Sequence, residues 1–211
     1  MRLYISNILA FTSLDGLTGS DLVTDTRKKR IRGYVTREDK ARCLVAGLLL
    51  RLVCGVTDDC QLTYGENGKP YLKHQSIHFN ISHSGDYVVL ATANREIGVD
   101  IEKITDYSDK VAIRCFTPLE CEWMKQERET EAFYRLWTAK ESVMKASGFG
   151  FSLPPEVFSV LPMNSSAHNI AGKTWFLDWI PYESYMICLA IEGKAEKREV
   201  ITITPTDLLR T

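Results

Sequence analysis

The sequence has no long hydrophobic run. Nowhere do enough apolar residues follow one another to span a bilayer, and the opening Met1-Arg2-Leu3-Tyr4-Ile5-Ser6-Asn7 reads as a short strand without the apolar centre of a secretion signal. We therefore expect a soluble, cytoplasmic protein with no membrane partner. An excess of charge of either sign is also missing, with 26 basic against 27 acidic residues and a formal net charge of −1. That balance argues against a protein whose main partner is nucleic acid, so any anion-binding site has to be local. The six cysteines contain no Cys-x-x-Cys pair, and Cys43, Cys54, Cys60, Cys115, Cys121 and Cys188 mostly have apolar neighbours. We read them as reduced and mostly buried. What is present is an ordinary globular composition, 45% hydrophobic and 25% charged over 211 residues, enough for a well-buried core in one domain or two small ones.

Periodicity organises the chain into two halves. Ala41, Leu44, Val45, Leu48 and Leu52 recur at the spacing of one helical face, which predicts a helix over 37–53, and Thr36-Arg37-Glu38-Asp39 resembles a capping box that starts it. A turn-rich stretch, Gly65-Glu66-Asn67-Gly68-Lys69-Pro70, leads to strand-like runs at 78–82, 87–93 and 97–101, the first two joined by a turn at His83-Ser84-Gly85-Asp86. A second helix is predicted over 131–147, with Phe133, Leu136, Trp137, Val143 and Met144 on its apolar side and Gly148 to end it. Strand-like runs at 175–180 and 185–191 follow. The expected fold class is α+β: two similar lobes, 1–103 and 104–211, each a long helix on a small antiparallel sheet, related by a pseudo-two-fold axis.

Several short patterns carry chemistry. Asp100 and Glu102 in Gly98-Val99-Asp100-Ile101-Glu102 are one residue apart, so on a strand both carboxylates leave the same face. Such a pair suits Mg²⁺, which takes a few protein oxygens and completes its shell with phosphate and water; it also suits an ordinary solvent-facing strand. Ser82 and His83 could offer a hydroxyl and an imidazole to a phosphate, although hydroxyls and glycine favour turns without any ligand. On the second helix Trp137, Glu141 and Lys145 form one stripe at i, i+4 and i+8, and Lys140 interrupts the apolar side. A surface pair of Glu141 with Lys145, worth about 0.3–0.5 kcal/mol, leaves Lys140 unexplained. Arg27, Lys28, Lys29, Arg30 and Arg32, with Arg42 and Lys69, supply dispersed positive charge for a solvated surface, a nucleic acid or a small polyphosphate.

In order and type these patterns resemble the surfactin-synthetase-activating class of phosphopantetheinyl transferases over roughly residues 27 to 160. The Gly-Val-Asp-x-Glu strand is here Gly98 to Glu102, and the Trp-x-x-Lys-Glu-x-x-x-Lys-x-x-Gly helix is Trp137 to Gly148. The family's Gly-Lys-Pro turn is Gly68-Lys69-Pro70, its Asn-x-Ser-His-Ser segment is Asn80 to Ser84, and its arginine after Glu-Asp-x-x is Arg42. The resemblance implies transfer of the 4′-phosphopantetheine arm of coenzyme A to a serine of an apo acyl or peptidyl carrier protein by a monomeric, Mg²⁺-dependent enzyme in which Mn²⁺ can substitute. It implies that Asp100, Glu102 and Glu120 bind the metal, that Glu141 is the general base oriented by Lys140, and that Lys145 holds the pyrophosphate. Arg42, Lys69, Pro70, Ser82 and His83 are then expected around the 3′-phosphate and adenine, with Arg27 and Arg30 standing where relatives carry lysines. Two rivals remain open on the residues alone: a Mg²⁺-dependent nuclease using the Arg27–Arg32 run, and a catalytically silent carrier-binding module.

Overall fold

A computed structural model describes residues 1–12, 20–74, 76–164 and 167–210. The chain runs β1 (Arg2–Asn7), α1 (Leu9–Thr12), α2 (Asp25–Gly33), α3 (Arg37–Cys54), β2 (Leu62–Tyr64), β3 (Pro70–Leu72), β4 (His78–Ser84), β5 (Tyr87–Ala93) and β6 (Ile97–Lys103). It continues with α4 (Asp109–Cys115), α5 (Pro118–Gln126), α6 (Glu129–Ser147), β7 (Ala167–Ile170), β8 (Lys173–Tyr182), β9 (Tyr185–Glu192), β10 (Glu199–Thr202) and α7 (Pro205–Leu208). The two long helices fall where the periodicity predicts them. Thr36 caps α3 by accepting from the Asp39 amide at 3.1 Å, and left-handed Gly55 and Gly148 end α3 and α6 at φ 68° and 74°.

One four-stranded sheet has the order β10-β1-β5-β4, with β10 parallel to β1 and the other pairs antiparallel; the other, β6-β9-β8-β7, is antiparallel throughout. The nearly unbroken apolar runs of β5 and β9 follow from burial of both faces. Val88 and Leu90 join the core under α3, whereas Val89 and Ala91 turn to a middle core shared by the two sheets. Similarly, Met186, Cys188 and Ala190 face α6, and Ile187 and Leu189 face the middle core. The layers are therefore α3, first sheet, second sheet, α6. Each fully buried leucine or isoleucine contributes about 1.5–3 kcal/mol, so the middle core fixes one sheet against the other.

The strand pairing changes sheet ahead of β6 rather than after residue 103. β5 already has β1 and β4 on its two edges, so β6 cannot extend that sheet and instead pairs with β9. The end of the chain returns to the first lobe, where β10 lies beside β1. The turn expected at 83–86 is shorter too, because β4 continues to Ser84 and the chain reverses at Gly85 and Asp86. The basic run forms α2, capped by Thr24. All six thiols are free; Cys43, Cys54 and Cys188 are buried, but Cys60 is exposed. Among the described residues no helix is long and apolar enough to cross a membrane.

Candidate active site

The edges of the two sheets meet where β4 runs beside β6, and side chains join them in place of a backbone ladder. Asn80, Ser82 and Ser84 alternate along β4 and so share a face. Asn80 Oδ1 accepts from the Val99 amide at 2.9 Å, Ser82 Oγ donates to Asp100 Oδ1 at 2.8 Å, and Ser84 Oγ donates to Glu102 Oε2 at 2.8 Å. Ser84 Oγ also accepts from the Lys103 amide at 3.1 Å. The acidic pair thus points into the seam from β6, as the strand alternation predicts.

α6 closes over this seam because Gly98 lets it approach: a β-carbon there would overlap the Ser142 carbonyl. Ser142 Oγ donates to the Cys188 carbonyl at 2.8 Å, which fixes the helix on β9. That placement carries Lys145 to the carboxylates, where its Nζ donates to Asp100 Oδ1 at 2.6 Å and to Ser82 Oγ at 3.0 Å. Burial lowers the Lys145 pKa, but the negative charge of Asp100, aided by Glu141 and Glu102, outweighs it, and the net shift is upward. Asp100 is 2% exposed, and its Oδ2 is buried with no hydrogen-bond partner. Glu102 is pushed from 4.5 up to about 7, first by burial and then by the charge of Asp100, against which Ser84, Lys145 and the Trp137 side chain pull it down. Half-buried Glu141 is raised as well, by burial first, with Lys145 opposing and Asp100 reinforcing. Negative charge is therefore in excess over positive charge along the seam, and one oxygen lacks any partner.

Positive charge lies beyond Ser84, carried by Arg42. Arg42 Nη1 donates to the Gly85 carbonyl at 2.7 Å and Nη2 to Asp39 Oδ1 at 2.6 Å. His83, on the exposed face of β4, has its imidazole pKa lowered by crowding against protein and then by the positive charges of Arg42 and Lys145. On α2, the Arg27 guanidinium rests 3.9 Å from the thiol of Cys43, the residue that follows Arg42 in the α3 sequence, and Arg30 is exposed.

Three expected site residues lie elsewhere, each for a visible reason. Lys140 and Glu120 are both 0% exposed and pair at 2.8 Å on the side of α6 away from the seam. Lys140 also donates to the carbonyls of Pro155 and Phe158, at 2.7 and 2.6 Å. Glu120 accepts from the amides of Thr117 and Val160, both at 2.8 Å. With its oxygens occupied, Glu120 is not brought to Asp100 and Glu102, and among the described residues no group of three or more His, Cys, Asp or Glu side chains is placed to hold a metal. The sequence carried this signal: Thr117-Pro118-Leu119-Glu120 is a capping box with proline at the first helical position, which starts α5. Lys69 is the third. Its Nζ donates to Glu96 at 2.5 Å, to the Ala146 carbonyl at 2.7 Å and to the Ile97 carbonyl at 3.4 Å, so its side chain ties the β2–β3 hairpin to the end of α6, with Pro70 opening β3. The roles of Asn80 and Ser84 went unread, although their alternation with Ser82 was available.

The residues in the seam fit a divalent cation better than two ligands alone suggest. An unpartnered buried carboxylate oxygen beside a second carboxylate with a raised pKa is a cation-seeking donor set, and Mg²⁺ commonly takes one or two protein carboxylates with phosphate and water for the rest.

The sequence pattern describing the 4′-phosphopantetheinyl transferase superfamily matches residues 96–200, and that of the 4′-phosphopantetheinyl transferase N-terminal region matches residues 17–95. The two meet between β5 and β6, where the strand pairing divides the lobes. A 4′-phosphopantetheinyl transferase of Bacillus subtilis is 36% identical over 147 residues, covering 65% of this chain and 66% of that protein. One from Aneurinibacillus migulanus is 35% identical over 147 residues, covering 66% and 62%. The L-aminoadipate-semialdehyde dehydrogenase-phosphopantetheinyl transferase of Mus musculus is 30% identical over 196 residues, covering 81% and 59%. The chain thus spans two thirds or less of the length of these relatives.

Proposed function

The chain belongs to the 4′-phosphopantetheinyl transferase superfamily, and from that membership and the seam between β4, β6 and α6 we propose that it moves the 4′-phosphopantetheine group of coenzyme A onto a serine of an apo acyl or peptidyl carrier protein. The observation that carries the reading is the open carboxylate pair: Asp100 with an unpartnered buried oxygen, Glu102 beside it, and Lys145 bonded to the same Asp100. Arg42 adds positive charge a short way along β4, and His83 adds an imidazole whose neutral form is favoured and which can still hydrogen-bond, a combination that suits the second phosphate of a polyphosphate ligand.

In this reading Asp100 and Glu102 hold Mg²⁺, or Mn²⁺ in its place. When bound, the cation supplies charge neutralisation to the pyrophosphate. The carrier serine oxygen forms a bond to the β-phosphorus as the bond from that phosphorus to the bridging oxygen breaks, and adenosine 3′,5′-bisphosphate leaves. Glu141 takes the serine proton; its raised pKa makes it a stronger base than an ordinary glutamate. The Lys145 ammonium stands by to stabilise the charge gathering on the departing oxygen. Arg42 and His83 orient the 3′-phosphate end, with Arg27 and Arg30 lending positive charge. Lys140, Glu120 and Lys69 take no part in bond making; they hold α6 and its neighbours in place.

The test is intact mass spectrometry of several apo-carrier proteins incubated with the chain, coenzyme A and Mg²⁺. A gain of one phosphopantetheine group on the carrier serine is the expected result. No gain on acyl or peptidyl carriers, with salt-sensitive retention of DNA instead, would point to the nuclease reading.

A further inference from the structure

The two carboxylates of the seam are held in different ways. Asp100 meets a hydroxyl and an ammonium, Ser82 and Lys145. Glu102 meets the neutral Ser84 hydroxyl at 2.8 Å, and the neutral Trp137 side chain lies near enough to favour its charged form. Both donors are themselves fixed. Ser84 Oγ accepts from the Lys103 amide, so its own proton is free to point only at Glu102 or away from the strand. The Trp137 ring lies parallel to Phe133, with centroids 6.3 Å apart and planes at 7°, and Phe133 stacks in turn on Tyr107 at 4.7 Å. Neutral donors orient a carboxylate without cancelling its charge. A lysine or arginine in either place would compete with a metal ion for the same oxygens.

We propose that Ser84 and Trp137 are positioning residues that aim Glu102 so that it shares a divalent cation with Asp100. The inference rests on the metal site of the proposed function but concerns residues that this reading leaves without a role. Outer partners of this kind commonly change metal affinity by about 10–100-fold when removed.

The experiment titrates the whole chain with Mn²⁺ alone and reads free Mn²⁺ by electron paramagnetic resonance, with no coenzyme A and no carrier present. Ser84→Ala and Trp137→Phe, which keeps the ring stack and loses the N–H, should each weaken Mn²⁺ binding by about tenfold, and the double variant by up to about 100-fold. Ser84→Thr, which keeps the hydroxyl, should restore most of the affinity. Unfolding midpoints within a few degrees of the parent establish that the variants are folded. Parent-like Mn²⁺ affinity in folded Ser84→Ala and Trp137→Phe overturns the proposal, as does a parent chain that binds no Mn²⁺. The two readings fail separately: weakened Mn²⁺ binding in a chain that modifies no carrier sinks the transfer reading alone, and unaltered Mn²⁺ binding in a chain that does modify carriers sinks the positioning role alone.

Discussion

Helix α6 carries two lysines that the sequence makes look alike, and the two sides of the helix treat them in opposite ways. On one side Lys140 and Glu120 form a closed pair: both are fully buried, and carbonyls and amides of 117–160 fill the remaining donors and acceptors. On the other side Lys145 meets Asp100 in an open pair, with one Asp100 oxygen unpartnered and two further carboxylates, Glu102 and Glu141, near it. A closed pair is already balanced by the protein around it. An open one leaves charge for a ligand, and this difference, more than residue type, separates scaffold from site.

The largest effect is expected on the closed side. Lys140→Met leaves Glu120 buried without its cation and should lower stability by about 3–5 kcal/mol in urea unfolding, whereas Lys140→Met with Glu120→Leu should recover a substantial part. If instead the single variant keeps its stability and loses only turnover, the closed pair belongs to the chemistry. Glu141→Gln, on the open side, should cut turnover by about 10²–10⁴-fold with little change in stability. Its residual rate should climb with pH as solvent hydroxide replaces the base, and full recovery at high Mg²⁺ would make Glu141 a metal ligand. A smaller effect is expected at the cationic end. Arg42→Ala should weaken coenzyme A binding by about 1.5–3 kcal/mol, and the loss should vanish with the 3′-dephospho form if that phosphate is what Arg42 meets.

The smallest effect is a pH signature of the metal-free protein. Glu102 binds its proton more tightly folded than unfolded, with a folded value of about 7 against an ordinary 4.5. Its contribution is therefore fully present below about 4.5 and is lost as the pH rises through about 7. In the presence of a chelator, stability should fall across that window, and Glu102→Gln should flatten the slope. Partial exposure to solvent keeps the effect modest. An unchanged slope in Glu102→Gln would mean that Glu102 is no more strained than a surface carboxylate.

Local pattern revealed most of the fold and part of the site. Both long helices, the strands from 78 to 101 and the Asp100–Glu102 alternation follow from periodicity, because each is set by which faces are buried along a short stretch of chain. What sequence could not show was pairing at a distance: β6 leaving β5 for β9, β10 returning to β1, and Ser84 reaching Glu102 across two sheets. The motif resemblance gave no sign of the protein partners that Glu120, Lys140 and Lys69 find, for a related reason. A charged residue in a motif is satisfied either by a ligand or by the protein, and only the fold reveals that Glu96 and the Ala146 carbonyl have already claimed Lys69. Thr117 three residues before Glu120 was a local sign of one of these pairings.

The central claim is that the open pair at Asp100 is where metal-assisted transfer takes place while the cationic end holds the coenzyme on its own. Asp100→Ala, assayed in parallel for modification of an apo-carrier and for coenzyme A binding by calorimetry, tests it most directly. The account predicts turnover lower by on the order of 10³-fold, the several kcal/mol that metal-assisted charge stabilisation supplies, with coenzyme A affinity changed only a few-fold. Near-parental turnover of Asp100→Ala at limiting Mg²⁺ would contradict it.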